Sequence, residues 1–236
     1  MDKNNYSISL FFPCHNEQGN VEGMTLKSLA VLAKLANDYE VIIVNDGSKD
    51  NTASIADALA EKYSQVKVIH HPTNLGYGAA LQSGFKAATK DLIFYTDGDG
   101  QFDLEELPPL LEYMPAYDIV SCYRLDRKDS LLRKLNAFCW TTLVCTLFRM
   151  RIRDIDGAFK LFKREIFDNI TMESTGALID TEILAKATRK GYKIKQLGVH
   201  HYPRTAGDSS GANVAVIFRA FKELFKLYKK TNKMGK

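Results

Sequence analysis

The feature that most restricts the fold of this chain is a regular alternation of short β-rich runs with helical patterns through its first half. Ile8 to Phe12 reads as a strand, then Val21 to Leu35 as a helix. Glu40 to Val44, Val66 to His70 and Leu92 to Tyr95 read as strands. Thr52 to Tyr63, Ala79 to Ala88 and Leu104 to Tyr113 read as the helices that follow them. Ile119 to Cys122 is a further strand. Strands that alternate with helices cannot pair through tight hairpins, so the pattern predicts an α/β fold with a doubly wound, mostly parallel sheet. Asp50-Asn51-Thr52 supplies capping side chains where the second helix should start. The second half is less regular. Leu131 to Met150 reads as a long helix, Phe159 to Phe162 as a short strand, Ile179 to Lys190 as a helix and Lys193 to Leu197 as a strand. Ala212 to Tyr228 has apolar Ile217, Phe221, Leu224, Phe225 and Tyr228 at helical spacing. The expected organisation is a single domain over 1–211, followed by a basic amphipathic helix and tail over 212–236.

With 236 residues and 45% hydrophobic composition the chain can bury a large core. Its net charge of +4 argues against a general nucleic-acid binder. Cys14, Cys122, Cys139 and Cys145 lack the spacing of zinc ligands and of a small secreted domain, so they read as reduced thiols of a cytosolic protein. The polar start reads as no signal peptide. The longest apolar run, Ala137 to Phe148, has 12 residues, short of the roughly 20 needed to span a bilayer.

In open parallel sheets, ligands bind beyond the carboxyl ends of the strands. Three polar clusters fall there: Pro13-Cys14-His15-Asn16-Glu17, Asn45-Asp46-Gly47-Ser48 and Asp97-Gly98-Asp99-Gly100-Gln101. Asp97 and Asp99 are two residues apart and in extended backbone would project to one side. Carboxylates that close repel unless a cation lies between them. Hard cations such as Mg²⁺ or Mn²⁺ take oxygen ligands, and Gln101 adds an amide oxygen. The alternative is a plain turn, because Asp-Gly pairs are turn formers. Gly76-Tyr77-Gly78 begins like a dinucleotide fingerprint, but Leu81 stands where the third glycine belongs, so a loop before a helix is the better reading. Within His70-His71 and His200-His201, neighbouring strand residues face opposite sides, which argues against chelation of one ion. Arg204, in a segment rich in Gly and Ser, suits phosphate; the alternative is a solvated surface arginine.

The motifs FPCHNE, VIIVNDGSKDNT, NLGYGAALQSGF and DGDGQFD, in this order, resemble family-2 glycosyltransferases of the GT-A fold. The later DIDGAFKLFKREIF and YPRTAGDSSG are similar to the dolichol-phosphate mannosyltransferases and their bacterial polyprenyl-phosphate relatives, and the likeness runs from about Ile8 to Phe225. The resemblance implies that Pro13, His15 and Glu17 line a nucleotide pocket, with Val44 and Asp46 near the base or ribose. It implies that Asp97, Asp99 and Gln101 hold the divalent metal on a donor diphosphate, with Gly98 beside it. Arg124, Arg133 and Arg204 would face donor and acceptor phosphates, with Asp99, Arg124 and Arg204 central to catalysis. The chain departs from the family at Ser210, where a lysine is common, and near Ala137, where a hydroxyl residue is.

The implied reaction moves mannose or glucose, with inversion, from GDP-mannose or UDP-glucose to a polyprenyl phosphate such as dolichyl or undecaprenyl phosphate. A lipid phosphate is already anionic near neutral pH, so no general base is needed. A hydroxyl acceptor would need one, for which Asp180 and Glu182 are the candidates. A catalytically silent module that binds a nucleotide sugar is the alternative of another class. Between Lys222 and Lys236 stand six Lys and one Glu beside Phe221, Leu224, Phe225 and Leu227. This pattern, with Ala137 to Trp140, reads either as an interface with a membrane or as a core-packing helix with a solvated face. The first reading implies a peripheral protein at the cytoplasmic membrane face.

Overall fold

β1 (Ser7–Cys14), β2 (Asp38–Asp46), β3 (Val66–His71) and β4 (Leu92–Thr96) are parallel, in the spatial order β3-β2-β1-β4. The computed structural model describes residues 6–126, 131–204 and 223–231, the side chains of 131–133 excepted. Three more strands complete a seven-stranded sheet of order β3-β2-β1-β4-β6-β5-β7: β5 (Ile119–Leu125), β6 (Phe159–Lys163) and β7 (Ile194–His200). Only β6 runs against its neighbours β4 and β5. The mostly parallel, doubly wound sheet expected from the alternation is therefore present.

The helices are α1 (Val21–Leu35), α2 (Thr52–Lys62), α3 (Tyr77–Ala87), α4 (Pro108–Leu111), α5 (Leu131–Phe148), α6 (Glu165–Asn169) and α7 (Ile179–Arg189). A further helix covers 223–231. α2 starts where the sequence placed it, but Asp50 and not Asn51 caps it, accepting from the Thr52 N–H at 3.0 Å. The helix expected over Leu104 to Tyr113 is instead a 3₁₀ turn, Leu104–Glu106, followed by the single turn of α4. Pro108 and Pro109 explain the break: each lacks a backbone N–H and crowds the preceding turn. α5 stops at Phe148 and not at Met150, because Arg149 takes a left-handed conformation, φ 54°.

The core is built where aromatic residues stack across strands. Phe11 of β1, Tyr95 of β4 and Phe162 of β6 lie on one face, covered by Phe85 of α3 and Phe167 of α6. Gly84 lets α3 come this close, since a Cβ there would lie 2.2 Å from the Phe11 ring. Within the terminal helix Leu224 and Leu227 are buried in the same core, and Tyr228 meets Phe148 edge to face. The described part of that helix is thus core-packing, with Phe225 exposed. Among the described residues no helix is long and apolar enough to cross a membrane.

Candidate active site

β1, β2 and β4 end together, and their C-terminal residues build one polar site. β4 stops at Thr96, so Asp97 and Asp99 lie in a turn and not in extended backbone. The turn reading of these residues is therefore realised. Gly98 fits against β1 because a Cβ there would meet the Pro13 carbonyl oxygen at 2.6 Å and the Cys14 sulfur at 2.9 Å. The Gln101 backbone N–H donates to Asp99 Oδ1 at 3.1 Å. The Gln101 side-chain amide donates to the Tyr202 carbonyl at 2.9 Å, which leaves its own oxygen as an acceptor.

Arg204 crosses from beyond β7 to this turn. Its guanidinium donates to Asp99 Oδ2 at 2.9 Å and to Glu17 Oε1 at 3.1 Å. Glu17 is buried, accepts from Asn20 at 2.6 Å, and its pKa is raised by burial against the opposing hydrogen bonds. The structure thus brings Glu17, Asp99 and Arg204 together.

Behind the turn lies a buried ionic network. Tyr77 donates to Asp97 at 3.1 Å. Lys160 is fully buried and donates to Asp180 at 2.7 Å, to Tyr95 at 3.0 Å and to the Ile155 and Gly157 carbonyls. Tyr95 also donates to Asp180. Arg124 makes a two-pronged pair with Asp154, both contacts at 2.8 Å. The arginine expected at the donor phosphates is therefore held by a carboxylate in this structure. Lys160, Asp154, Asp156 and Tyr77 were not singled out from the sequence. The available signal was Lys160 within the apolar run Phe159-Lys160-Leu161-Phe162, since a lysine in a buried strand needs partners.

The remaining predicted positions fall as follows. Pro13 pairs in register with Val44 across β1 and β2, and Val44 is fully buried. His15 Nδ1 lies 2.8 Å from the Asp46 carbonyl oxygen. The Asp46 carboxylate accepts from the Leu75 and Gly76 N–H groups at 2.8 and 3.0 Å and lies 2.7 Å from His71 Nδ1. It anchors the loop before α3. His70 and His71 point to different partners, Asp57 and Asp46, as their opposite faces require. Arg133 belongs to α5 but its side chain, like Ser210 and residues 205–222, lies outside the described residues. Asp180 and Glu182 are buried and engaged. Glu182 accepts from the Glu173 and Ser174 N–H groups at 3.0 and 2.7 Å and pairs with Lys186 at 2.5 Å.

The electrostatics favour an added cation. Among the described residues, Glu17, Asp97, Asp99, Asp154, Asp156 and Asp180 share this site with Arg124, Lys160 and Arg204, a surplus of carboxylates. Burial and the Asp99 charge push the Asp97 carboxyl up to about 7. Burial, with Asp180 and Asp154, pushes Asp156 to about 6. Burial and nearby carboxylates also push the Cys14 thiol up, which leaves it unsuited to act as a thiolate nucleophile. No three His, Cys, Asp or Glu side chains converge as a ready metal cage among the described residues. The oxygen set of Asp97, Asp99 and Gln101 nonetheless fits a hard dication that completes its shell with substrate phosphate.

Comparison with known proteins follows the same line. Residues 9–171 match the family described as Glycosyl transferase family 2. This chain belongs to glycosyl transferase family 2. It is 31% identical over 207 residues to Glycosyltransferase AglD of Haloferax volcanii, covering 84% of this chain and 33% of that protein. It is 29% identical over 221 residues to the undecaprenyl-phosphate 4-deoxy-4-formamido-L-arabinose transferase of Pseudomonas fluorescens, covering 92% and 63%. The chain thus spans a third of the first relative and less than two thirds of the second. In structure it resembles glucosyl-3-phosphoglycerate synthase from Mycobacterium tuberculosis, solved with Mn²⁺ and uridine-diphosphate-glucose. The TM-score is 0.72 at 17% identity, over 95% of this chain and 79% of that one. This likeness establishes the GT-A-type fold.

Proposed function

We propose that this domain transfers a sugar from a nucleoside-diphosphate sugar to a polyprenyl phosphate. The observation that carries the acceptor class is the engagement of both candidate bases: Asp180 is paired with Lys160, and Glu182 with Lys186 and two backbone N–H groups. Neither is placed to take a hydroxyl proton, whereas a phosphate acceptor has none to lose. The relatives named for undecaprenyl-phosphate transfer support the same acceptor.

In this reading Asp97, Asp99 and Gln101 hold a divalent cation, Mg²⁺ or Mn²⁺. When bound, that cation supplies Lewis-acid stabilisation of the leaving diphosphate. Pro13, His15, Glu17 and the Asp46-anchored loop bind and orient the nucleotide. An acceptor phosphate oxygen attacks the anomeric carbon as the bond to the diphosphate oxygen breaks, so a single displacement inverts that carbon. No proton moves. Arg204 offsets the repulsion between the two anionic groups, with Arg133 assigned the same task at the lipid end. A uridine nucleotide is the preferred donor, in parallel with the ligands of the structural relative; the GDP-mannose expectation has no such parallel among the proteins compared above. The exposed Leu135 and Phe138 of α5, with Lys226 and Lys229 of the terminal helix, would meet the membrane from the cytoplasmic side.

The test is product analysis with undecaprenyl phosphate and a soluble hydroxyl acceptor, across UDP- and GDP-sugars with Mn²⁺. Sugar on the lipid phosphate is expected. The alternative, transfer to a hydroxyl with a carboxylate such as Asp156 as base, predicts a different product. Glycosylation of the hydroxyl acceptor only, lost in Asp156→Asn, would establish that reading instead.

A further inference from the structure

The contact between Arg204 and Asp99 places a fixed cation on a carboxylate that the proposed function assigns to a metal. Asp99 Oδ2 receives Arg204 Nη2 at 2.9 Å, and Glu17 receives Nη1 of the same guanidinium at 3.1 Å. Both carboxylates are buried, while the Arg204 side chain is 24% exposed. Arg204 is therefore the most solvent-accessible of the three side chains. We propose that Arg204 is the resident counter-ion of Asp99, which a divalent cation displaces, and that Glu17 is the positioning residue that keeps hold of the guanidinium when this happens.

The physical reason is the charge surplus behind the turn. Asp97 and Asp99 repel within a buried site, and without a cation between them one charge must be compensated or neutralised. Arg204 provides that compensation from one side. A dication bound to Asp99 oxygens removes the need for it and repels the guanidinium. Glu17 takes the other terminal nitrogen of Arg204 and is fixed by Asn20 at 2.6 Å and by the Thr52 hydroxyl at its own N–H, 2.8 Å. A guanidinium released by Asp99 and still held by Glu17 stays at the edge of the site, where its freed N–H groups can meet an anionic oxygen. Metal loading and arginine delivery are then one exchange. This inference rests on the metal assignment of the proposed function and adds to it an ordering: the cation enters against Arg204.

The sign of one measurement separates this idea from a simple phosphate-binding role for Arg204. Mn²⁺ affinity is measured by calorimetry on the full chain, without nucleotide, for wild type, Arg204→Ala, Arg204→Lys and Asp99→Asn. The expected result is that Arg204→Ala binds Mn²⁺ about five- to tenfold more tightly than wild type, the scale of one partly exposed ion pair. Arg204→Lys should fall between the two, and Asp99→Asn should bind far more weakly than any. An arginine that acts only on phosphates would leave nucleotide-free Mn²⁺ affinity unchanged in Arg204→Ala, and that outcome, or weaker binding, overturns the proposal alone. Absence of Mn²⁺ binding in both wild type and Arg204→Ala overturns the metal assignment as well. A second readout needs no turnover: the Arg204 Nε–H resonance, identified by its loss in Arg204→Lys, should shift when Mg²⁺ is added. A resonance that stays in place at saturating Mg²⁺ also counts against displacement.

Discussion

At the site end of β1, β2 and β4, several carboxylates are held by backbone N–H groups and neutral side chains, while Glu17 and Asp99 share the partly exposed Arg204. Asp46 accepts from Leu75 and Gly76, Asp50 from Thr52 and Gln18, and Asp97 from Tyr77. At the site end of β5 and β6 they are held by buried cations: Asp154 by Arg124, and Asp180 by Lys160. The difference follows from strand direction. A parallel strand delivers its C-terminal end and a following loop, whose N–H groups are at hand. The antiparallel β6 delivers its N-terminal end, so Phe159 lies beside Thr96, with residues 154–157 just before it in the chain. The carboxylates there are met by partner charges, Asp154 by Arg124 and Asp180 by Lys160. One half of the sheet thus presents ligand oxygens, and the other sets the charge around them.

If this division holds, substitutions in the two halves should fail differently. The largest effect on activity is expected at Asp99. Asp99→Ala should lower transfer by at least about 10²–10³-fold, the scale of losing a main electrostatic contact, with far-ultraviolet circular dichroism unchanged. Asp97→Ala should do the same. Near-normal turnover in a folded variant of either would remove the carboxylate pair from the mechanism. Arg204→Ala should also lower turnover strongly, by about tenfold or more, while donor affinity falls less. A matched loss of donor affinity would shift Arg204 to the nucleotide side.

The largest effect on stability is expected at Lys160. Lys160→Met leaves Asp180 buried and unpaired and should cost about 3–5 kcal/mol in urea denaturation. Lys160→Met combined with Asp180→Asn should recover a good part of that loss. If the double variant is as unstable as the single one, the charge pair is not what Lys160 provides. Asp46→Asn is the intermediate case. It keeps the size of the side chain but turns an amide towards the Leu75 and Gly76 N–H groups, at a cost of about 1–3 kcal/mol. Nucleotide-sugar affinity should fall with it, because the loop before α3 loses its anchor. Unchanged affinity by calorimetry would take that loop out of the donor site.

The smallest effect expected concerns the opposite end of the sheet. Glu40 is buried, which by itself raises its pKa, but hydrogen bonds from Lys67, Ser9 and Thr89 outweigh burial and hold it down to about 2. A depressed carboxyl contributes stability above its unfolded value of about 4.3 and loses it as pH falls towards the folded value. Acid unfolding of wild type should therefore steepen between about pH 4 and pH 2. Glu40→Gln should flatten that part of the curve, and an identical curve would assign acid sensitivity to other groups.

The sequence by itself determined the alternation of elements and the three polar strand ends. Both are local: apolar runs of strand length and Gly/Asp-rich exits are written in consecutive residues. Local pattern misleads at Pro108-Pro109, where the two prolines cut the expected helix to one turn. Only the tertiary structure decided which charged groups answer one another. Arg204 and Glu17 are 187 residues apart in the chain, and Lys160 meets Tyr95 from a strand whose direction the periodicity does not reveal. It likewise decided that Asp180 and Glu182 are occupied and that Arg124 is held by Asp154. The physical reason is that a carboxylate's identity is set by its sequence, but its charge state and availability are set by burial and by partners that only the folded chain brings within hydrogen-bond distance.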